Sequence, residues 1–223
     1  NKLKNKTKNL VIIPARGGSK RLKNKNKKIL NDIPLIEHTI KFAVKNSISN
    51  YILLSTDDRD ILKIGLKNKI LTPWLRPSFL SNDNSKSISY AIHAINWFEN
   101  LFGELDNIIL LQPTSPYRNI NTFKKMLNIF MLKKESIVTV KQNINKDKDL
   151  YTMQNSLLSK VRKFKKGDVN ISGNIYINSV KNLKKYKNFV NKKSIGYLIK
   201  NPKELIDIDT LTDFKLAKKL LKK

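Results

Sequence analysis

Cysteine is absent from the 223 residues, and histidine occurs only twice. Without cysteine the chain can form neither disulfides nor thiolate metal sites, a composition compatible with the cytosol. His38 and His93 fall in amphipathic stretches without a partner at ligand spacing, so we expect them at the surface or at the edge of the core. No run of about 18 uncharged apolar residues occurs, which predicts no transmembrane helix and no membrane partner. Residues 1–8 are polar and basic with no apolar segment behind them, which predicts no signal peptide.

Acidic residues are scarce, because 17 Asp and Glu stand against 45 Lys and Arg, for a formal net charge of +28. Such an excess is typical of proteins that bind nucleic acid or anionic membranes. The lysines, however, recur along almost every predicted helix and do not form one basic stripe with interleaved aromatics. We therefore favour a compositional bias and expect no specific nucleic-acid partner, with a basic nucleic-acid-binding protein as the alternative. The positive field would also speed the capture of anionic small molecules.

Short apolar runs alternate with amphipathic stretches, and hydrophobic residues make up 40% of the chain, enough for a core. Buried strands are predicted over 10–14, 51–55, 108–111, 136–140, 174–178 and 194–199, and helices over 34–44, 85–102, 123–132 and 210–221. The alternation predicts a single α/β domain over 1–223, with a mostly parallel sheet and helices on both faces. Charges dominate from 141 to about 170, where we expect a protruding excursion rather than core.

Two glycines follow the first predicted strand, within residues 14–20. Paired glycines let successive backbone N–H groups point into one space and form an anion-binding nest. Arg16, with Lys20 or Lys25, would add positive charge, and Ser19 would add a hydroxyl donor. The spacing matches neither GxxxxGK[ST] nor GxGxxG. Phosphate binding is favoured over the alternative of an ordinary tight turn.

Polar side chains also follow the strand predicted over 108–111. The amide of Gln112 and the hydroxyls of Thr114 and Ser115 can each donate and accept, which suits a polyhydroxylated ligand. The two prolines of the segment could equally mark a rigid turn, so both interpretations stay open.

Asp207 and Asp209 lie two residues apart in a segment that is expected to be extended, so both carboxylates should project to one side. Adjacent carboxylates repel unless a cation lies between them, and oxygen ligands select Mg²⁺. The alternative, in which Asp209 or Thr210 caps the last helix, would leave Asp207 unexplained. The neighbouring pair Asp57 and Asp58 is better explained as the start of a helix than as a metal site.

Taken together, these segments resemble the CMP-sialic acid synthetases, also called acylneuraminate cytidylyltransferases. The similarity covers most of the chain in family order and includes Ile13–Lys20 with Lys25 and Asn26, Ser55–Asp58, Leu75–Pro77 with Leu80, Asp83 and Ser87, Leu110–Pro116, and Ile206–Thr210 with Asp213. The combination of LLQPTSP with IDIDT is specific, whereas the glycine turn is shared with related nucleotidyltransferases.

The resemblance implies a Rossmann-like nucleotidyltransferase fold, dependence on Mg²⁺, and a cytoplasmic homodimer whose excursion over 141–170 is a dimerisation arm. It implies that CTP and a nonulosonic acid, a sialic-acid-type sugar acid, react to give the CMP-sugar and pyrophosphate. The implied nucleotide-binding residues are Arg16, Gly17, Gly18, Ser19, Lys25, Asn26, Arg76 and Ser87. The implied substrate-binding residues are Gln112, Thr114, Ser115 and Tyr176. The implied metal ligands are Asp207 and Asp209, and Arg16, Lys25 and Asp209 are the implied catalytic residues.

Two departures from the family pattern leave the sugar acid open. Asn170 stands where the family often has an arginine near the sugar carboxylate, so Arg162 or a lysine of the arm would have to substitute. Arg21 resembles the pseudaminate-activating relatives, whereas LLQPTSP resembles the sialate and legionaminate enzymes. Pseudaminate, legionaminate or another sugar acid is therefore an alternative substrate, and a purely structural homologue is a third hypothesis.

Overall fold

The computed structural model describes residues 7–82, 85–143 and 150–221. The strands are β1 (Asn9–Pro14), β2 (Ile29–Leu30), β3 (Ile33–Pro34), β4 (Tyr51–Ser55), β5 (Asn107–Leu110), β6 (Ile137–Gln142), β7 (Leu150–Gln154), β8 (Leu157–Val161), β9 (Val169–Ser179) and β10 (Ile195–Leu198). The helices are α1 (Leu35–Lys45), α2 (Arg59–Lys67), α3 (Ser87–Phe102), α4 (Ile120–Lys133), α5 (Val180–Tyr186) and α6 (Leu211–Leu220). Short 3₁₀ turns cover Lys25–Lys27, Ser78–Leu80 and Pro202–Leu205. Over the described residues, every helix is too short or too polar to span a bilayer.

Eight strands form one sheet in the order β4-β1-β5-β9-β6-β10-β8-β7. β1 pairs in parallel with β4 and β5, and β6 pairs in parallel with β10. β9, however, lies between β5 and β6 and runs antiparallel to both. The sheet is thus mixed rather than mostly parallel, because the chain returns from the β7–β8 hairpin in the opposite direction.

Helices cover both faces of the sheet, as the sequence predicted. The β1 residues Val11 and Ile13 pack on one face with apolar residues of α1 and α4. Leu10 and Ile12 point to the other face, where α3 and α5 lie. β1 is buried on both faces, which explains why it reads as a continuous apolar run rather than as an alternating one.

Two helix starts agree with the sequence prediction. The Asp58 carboxylate caps α2 by accepting from the backbone N–H groups of Asp60 and Ile61. Thr210 caps α6, and Asp213 completes a capping box. A cap of this kind is worth about 1 kcal/mol.

The charge-rich segment after β6 folds back onto the sheet. Its hairpin pairs β8 with β10 and β7 with β9. Leu158 and Val169 are buried in a small core with Val138 and Val140 of β6. Part of the segment therefore belongs to the core, contrary to the expectation from its composition, because a few apolar positions suffice to anchor a short hairpin. Residues 144–149 lie outside the described residues, and a role in dimerisation stays a prediction.

Candidate active site

Two adjoining cavities open beyond the carboxyl ends of β1 and β5, where open α/β sheets bind ligands. The first has a volume of about 650 Å³ and the second about 720 Å³. Ser85, Ser87, Gln112 and Asp207 line both cavities, so the two spaces meet at these side chains. A pair of joined cavities can hold two substrates with their reacting groups in contact.

Cations dominate one wall of the first cavity. Arg16, Ser19, Lys25 and Asn26 line it, and Lys20 and Arg21 lie beside them. The buried Asn26 amide donates to the backbone carbonyl of Arg16 at 3.0 Å, which joins the 3₁₀ turn to the glycine turn. This wall is suited to the phosphates of a nucleotide because it combines several positive charges with a hydroxyl donor.

Gly17 has a structural role that the sequence analysis did not predict. Neither Gly17 nor Gly18 is among the described residues that line the first cavity. The N–H of Gly17 donates to the Asp57 carboxylate at 2.9 Å, so it is already committed within the protein. A Cβ at Gly17 would lie 2.8 Å from the Asp58 carboxylate, so the close approach of α2 requires glycine here. The N–H of Gly17 is therefore not available to an anion, and the predicted role of Gly18 in nucleotide binding stays a prediction.

Arg76 enters the first cavity from a buried position. Its Nε donates to Ser81 at 3.0 Å, and its guanidinium lies 3.9 Å from Asp57 and 5.2 Å from the centre of the Tyr90 ring. Burial lowers the pKa of Arg76, and the charge of Asp57 opposes this effect. Asp57 thus contacts both the glycine turn and Arg76, a link that the sequence did not indicate.

Tyr90 lines the first cavity, although it was not among the predicted site residues. It is buried on α3, its ring lies under Arg76, and its hydroxyl hydrogen-bonds with Ser87. Burial raises the pKa of the Tyr90 hydroxyl. At its helical position a tyrosine is indistinguishable from a packing residue by sequence. Asp83, which the resemblance includes near this wall, lies outside the described residues.

The segment after β5 supplies two of its three predicted side chains. Gln112 and Thr114 line the first cavity, and Gln112 also lines the second. Ser115 is only 1% exposed and lines neither cavity within the described chain, so the structure does not bring it to the site. Its backbone N–H instead closes a turn onto the carbonyl of Gln112. This turn over 112–115 leaves Thr114 at the cavity and places Ser115 in the interior.

Tyr176, which the resemblance implies as a substrate-binding residue, lines the second cavity. It belongs to β9, and its ring stacks edge-on against Phe189 with 5.5 Å between ring centres. Burial raises the pKa of the Tyr176 hydroxyl, and the nearby charge of Asp207 adds to the shift. The side chain therefore offers an apolar face with a neutral hydroxyl.

The two predicted carboxylates face the first cavity together. Ile206 and Ile208 are buried in a core cluster, so the alternating Asp207 and Asp209 point the other way, into the cavity. The Ile208 N–H donates to the carbonyl of Thr114 at 2.8 Å, which fastens this segment to the one after β5. Thr210, not Asp209, caps α6.

The electrostatics of the two carboxylates differ. Burial raises the pKa of Asp207, the charge of Asp209 raises it further, and a hydrogen bond from Thr114 opposes both effects. Asp209 is paired with Lys25 and Arg21, each at 2.8 Å. The site thus places two acidic oxygens next to the cationic wall of the first cavity.

A family model described as cytidylyltransferase matches residues 10–223. The chain belongs to the cytidylyltransferase family. A CMP-N,N'-diacetyllegionaminic acid synthase of Legionella pneumophila is 31% identical, with 95% of each chain covered. An N-acylneuraminate cytidylyltransferase of Escherichia coli is 28% identical over 95% of this chain and 52% of its own length.

Solved structures show the same fold. A CMP:2-keto-3-deoxy-manno-octonic acid synthetase complexed with CTP superposes with a TM-score of 0.71 at 15% identity, covering 96% of this chain and 98% of that one. These findings agree with the nucleotidyltransferase fold and with the family that the sequence motifs indicated.

The donor set of this cytidylyltransferase fits a hard divalent cation. Over residues 7–82, 85–143 and 150–221, no group of three or more His, Cys, Asp or Glu side chains is arranged around a common point. Two carboxylates beside an open cavity nevertheless match Mg²⁺, which keeps waters and substrate phosphates in its coordination shell. A cation would also offset the burial and the repulsion from Asp209 that together raise the pKa of Asp207.

The second cavity of the cytidylyltransferase contains a lysine opposite Asn170. Lys141 on β6 pairs in register with Asn170 on β9, and both line the cavity. Arg162 is exposed and is not among the described residues of either cavity. Among the described residues of 141–170, Lys141 is the lysine that lines the second cavity. This position of Lys141 could not be predicted from the sequence, because the register of β6 against β9 depends on the tertiary structure.

Proposed function

We propose that the chain transfers CMP from CTP to the anomeric hydroxyl of a nonulosonic acid and releases pyrophosphate. The observation that carries this proposal is the pair of cavities joined at Gln112 and Asp207. One is lined by cations and carboxylates suited to a metal-bound nucleotide, and the other by mixed polar and aromatic groups suited to a sugar acid. The CMP-sugar synthases among its relatives support the same substrate class.

In this proposal CTP lies in the first cavity. Arg16, Lys20 and Lys25 attract the phosphates, Ser19 adds a donor, and Arg76 and Ser87 contact the nucleotide. Arg76 is held by Asp57 and Tyr90, so it needs little reorganisation on binding. When CTP binds, Lys25 would leave its ion pair with Asp209 and contact a phosphate group. It would then stabilise the negative charge that develops on the leaving pyrophosphate.

The sugar acid occupies the second cavity. Gln112 and Tyr176 orient the sugar, and the ammonium of Lys141 binds its carboxylate. The anomeric hydroxyl then lies where the cavities meet, next to the α-phosphate. Its oxygen bonds to the α-phosphorus, the bond from that phosphorus to the bridging oxygen breaks, and pyrophosphate and a proton are released. Positioning and charge stabilisation supply most of the rate enhancement in such a displacement.

We propose Mg²⁺ as the cofactor, held by Asp207 and Asp209. The ion would neutralise phosphate charge and withdraw electrons from the α-phosphorus. The protein groups around it have separate parts: Thr114 fixes the Asp207 carboxylate by a hydrogen bond, and Ile208 fixes the backbone between the two ligands. A homodimer and a cytoplasmic location stay predictions.

Pyrophosphate release tests the proposal. The purified protein is mixed with CTP, Mg²⁺ and, in turn, N-acetylneuraminate, legionaminate, pseudaminate and Kdo. We expect release with a nonulosonic acid, loss of release in Asp209→Ala, and normal release in the control Asp60→Ala, whose side chain is 64% exposed. No release with any acid, or equal release from Asp209→Ala, would refute the mechanism.

A further inference from the structure

A buried cation with no direct access to substrate lies directly behind the segment that presents Gln112. Arg118 is 6% exposed and lies after that segment, two residues before α4 begins. Its three nitrogens each have a protein acceptor: Nε donates to the carbonyl of Asn174 at 3.0 Å, Nη1 to the Thr39 hydroxyl at 2.9 Å, and Nη2 to the carbonyl of Gln112 at 2.6 Å. The guanidinium thus joins α1, β9 and the segment after β5.

The same network continues to the carboxylate-bearing segment. The Asn174 amide donates to the carbonyls of Tyr117 and Glu204 at 3.2 and 2.9 Å. Glu204 is 3% exposed, and its carboxylate accepts from the Asn119 N–H and the Thr122 hydroxyl. Glu204 lies three residues before Asp207 in the sequence. The network therefore connects the backbone of Gln112, a proposed sugar ligand, to the chain three residues before Asp207, a proposed metal ligand.

Buried charges are retained at a cost unless their hydrogen bonds are satisfied. Burial lowers the pKa of Arg118 to about 9, while the charge of Glu204 raises it. The guanidinium accordingly stays charged at neutral pH. Arginine is suited to this place because its planar fork offers a separate nitrogen to each acceptor, whereas a lysine has one nitrogen for all three. An apolar residue would fill the volume but would leave three acceptors without a donor.

We infer that Arg118 and Glu204 are positioning residues that set the distance between Gln112 in the sugar cavity and Asp207 beside the nucleotide. This inference rests on the proposed function, because it assigns those two side chains to different substrates. The nucleotide wall of Arg16, Lys25 and Arg76 lies outside the network. Disturbing the network should therefore impair use of the sugar acid and the chemical step more than it impairs binding of CTP.

The test uses two variants that alter the network in different ways. Arg118→Lys keeps the charge and loses the fork, and Glu204→Gln keeps the shape and loses the charge. Arg59→Lys and Glu99→Gln are matched surface controls, since Arg59 is exposed and Glu99 forms a surface ion pair with Lys184. For Arg118→Lys we expect the KM for the sugar acid to rise about tenfold and kcat to fall, with the Kd for CTP within twofold. Glu204→Gln should shift the same constants in the same direction by a smaller factor.

Amide hydrogen exchange provides a readout that does not depend on turnover. In both network variants, exchange should accelerate over residues 112–117 and 206–209 and stay unchanged over the glycine turn, 15–20. A merely structural role predicts lower thermal stability with normal constants per folded molecule, and that result would overturn the inference. Unchanged exchange in the two segments would also overturn it. If the native protein shows no turnover with any acid, the proposed function fails, and the exchange pattern still decides whether the network positions these segments.

Discussion

Gly173 offers a sharp test of how the sugar cavity is built. It lies on β9 beside the irregular pairing with β6, and its φ of +76° belongs to the left-handed region that favours glycine. A Cβ at this position would collide with the side-chain oxygen of Gln112. Gly173→Ala should therefore have two effects, a strained backbone and a displaced Gln112.

The variant Gly167→Ala separates backbone strain from displacement of Gln112. Gly167 has a φ of +99°, but a Cβ there would meet nothing within 4 Å. Backbone strain in the left-handed region costs roughly 1–2 kcal/mol, so both variants should unfold roughly 2–8 °C lower. Only Gly173→Ala should also raise the KM for the sugar acid, by about tenfold if about 1.4 kcal/mol of binding is lost.

The assay combines thermal unfolding of each variant with steady-state kinetics at saturating CTP. Gly167→Ala should keep the native KM for the acid, since its strain lies in the loop before β9. Equal kinetic constants for the two alanine variants would refute the argument that Gly173 fixes Gln112. An unchanged melting temperature for both would refute the estimate of backbone strain.

Three further variants test other parts of the site and fold. Tyr90→Phe keeps the ring but removes the hydrogen bond to Ser87, so the KM for CTP should rise about fivefold while stability changes little. Burial, reinforced by the charge of Asp209, raises the pKa of Asp207, so the ligand-free fold loses stability as pH rises from the unfolded to the folded pKa of this carboxyl, and the loss is complete above the folded pKa. Asp207→Asn should then melt at a higher temperature at neutral pH without metal, lose at least tenfold in activity, and gain no stability from added Mg²⁺; a lower melting temperature would contradict this. Asp58→Ala should lose about 1 kcal/mol of unfolding free energy in urea at neutral pH. Burial raises the pKa of Asp58, but a lysine contact and two backbone N–H groups lower it overall, so the deficit should shrink as pH falls through its folded pKa; a deficit independent of pH would contradict the assignment.

Local chemistry made several features predictable from sequence. A continuous apolar run identified β1, because a strand buried on both faces needs no polar alternation. Asp58 and Thr210 were predictable as helix starts, since capping depends on neighbours within four residues. The common direction of Asp207 and Asp209 followed from their spacing, because the isoleucines between and before them are drawn into the core.

Features that depend on tertiary structure were not predictable. The direction of β9 follows from the path of the hairpin before it, and strand periodicity does not encode direction. The N–H of Gly17 is taken by Asp57, forty residues away, so no local pattern could reveal that the nest is partly occupied. Ser115 and Arg118 belong to one short polar segment. Ser115 points away from the cavities, whereas Arg118 donates hydrogen bonds to three acceptors in different parts of the fold.

In the proposed reaction, the anomeric hydroxyl of a nonulosonic acid displaces pyrophosphate from the α-phosphorus of CTP. The most direct test of this displacement is a single-turnover reaction with the acid labelled by oxygen-18 at the anomeric hydroxyl, followed by mass spectrometry of both products. We predict that the label is retained in the oxygen bridging sugar and phosphorus of the CMP-sugar and that pyrophosphate is unlabelled. Label in pyrophosphate, or a CMP-sugar without it, would contradict the account.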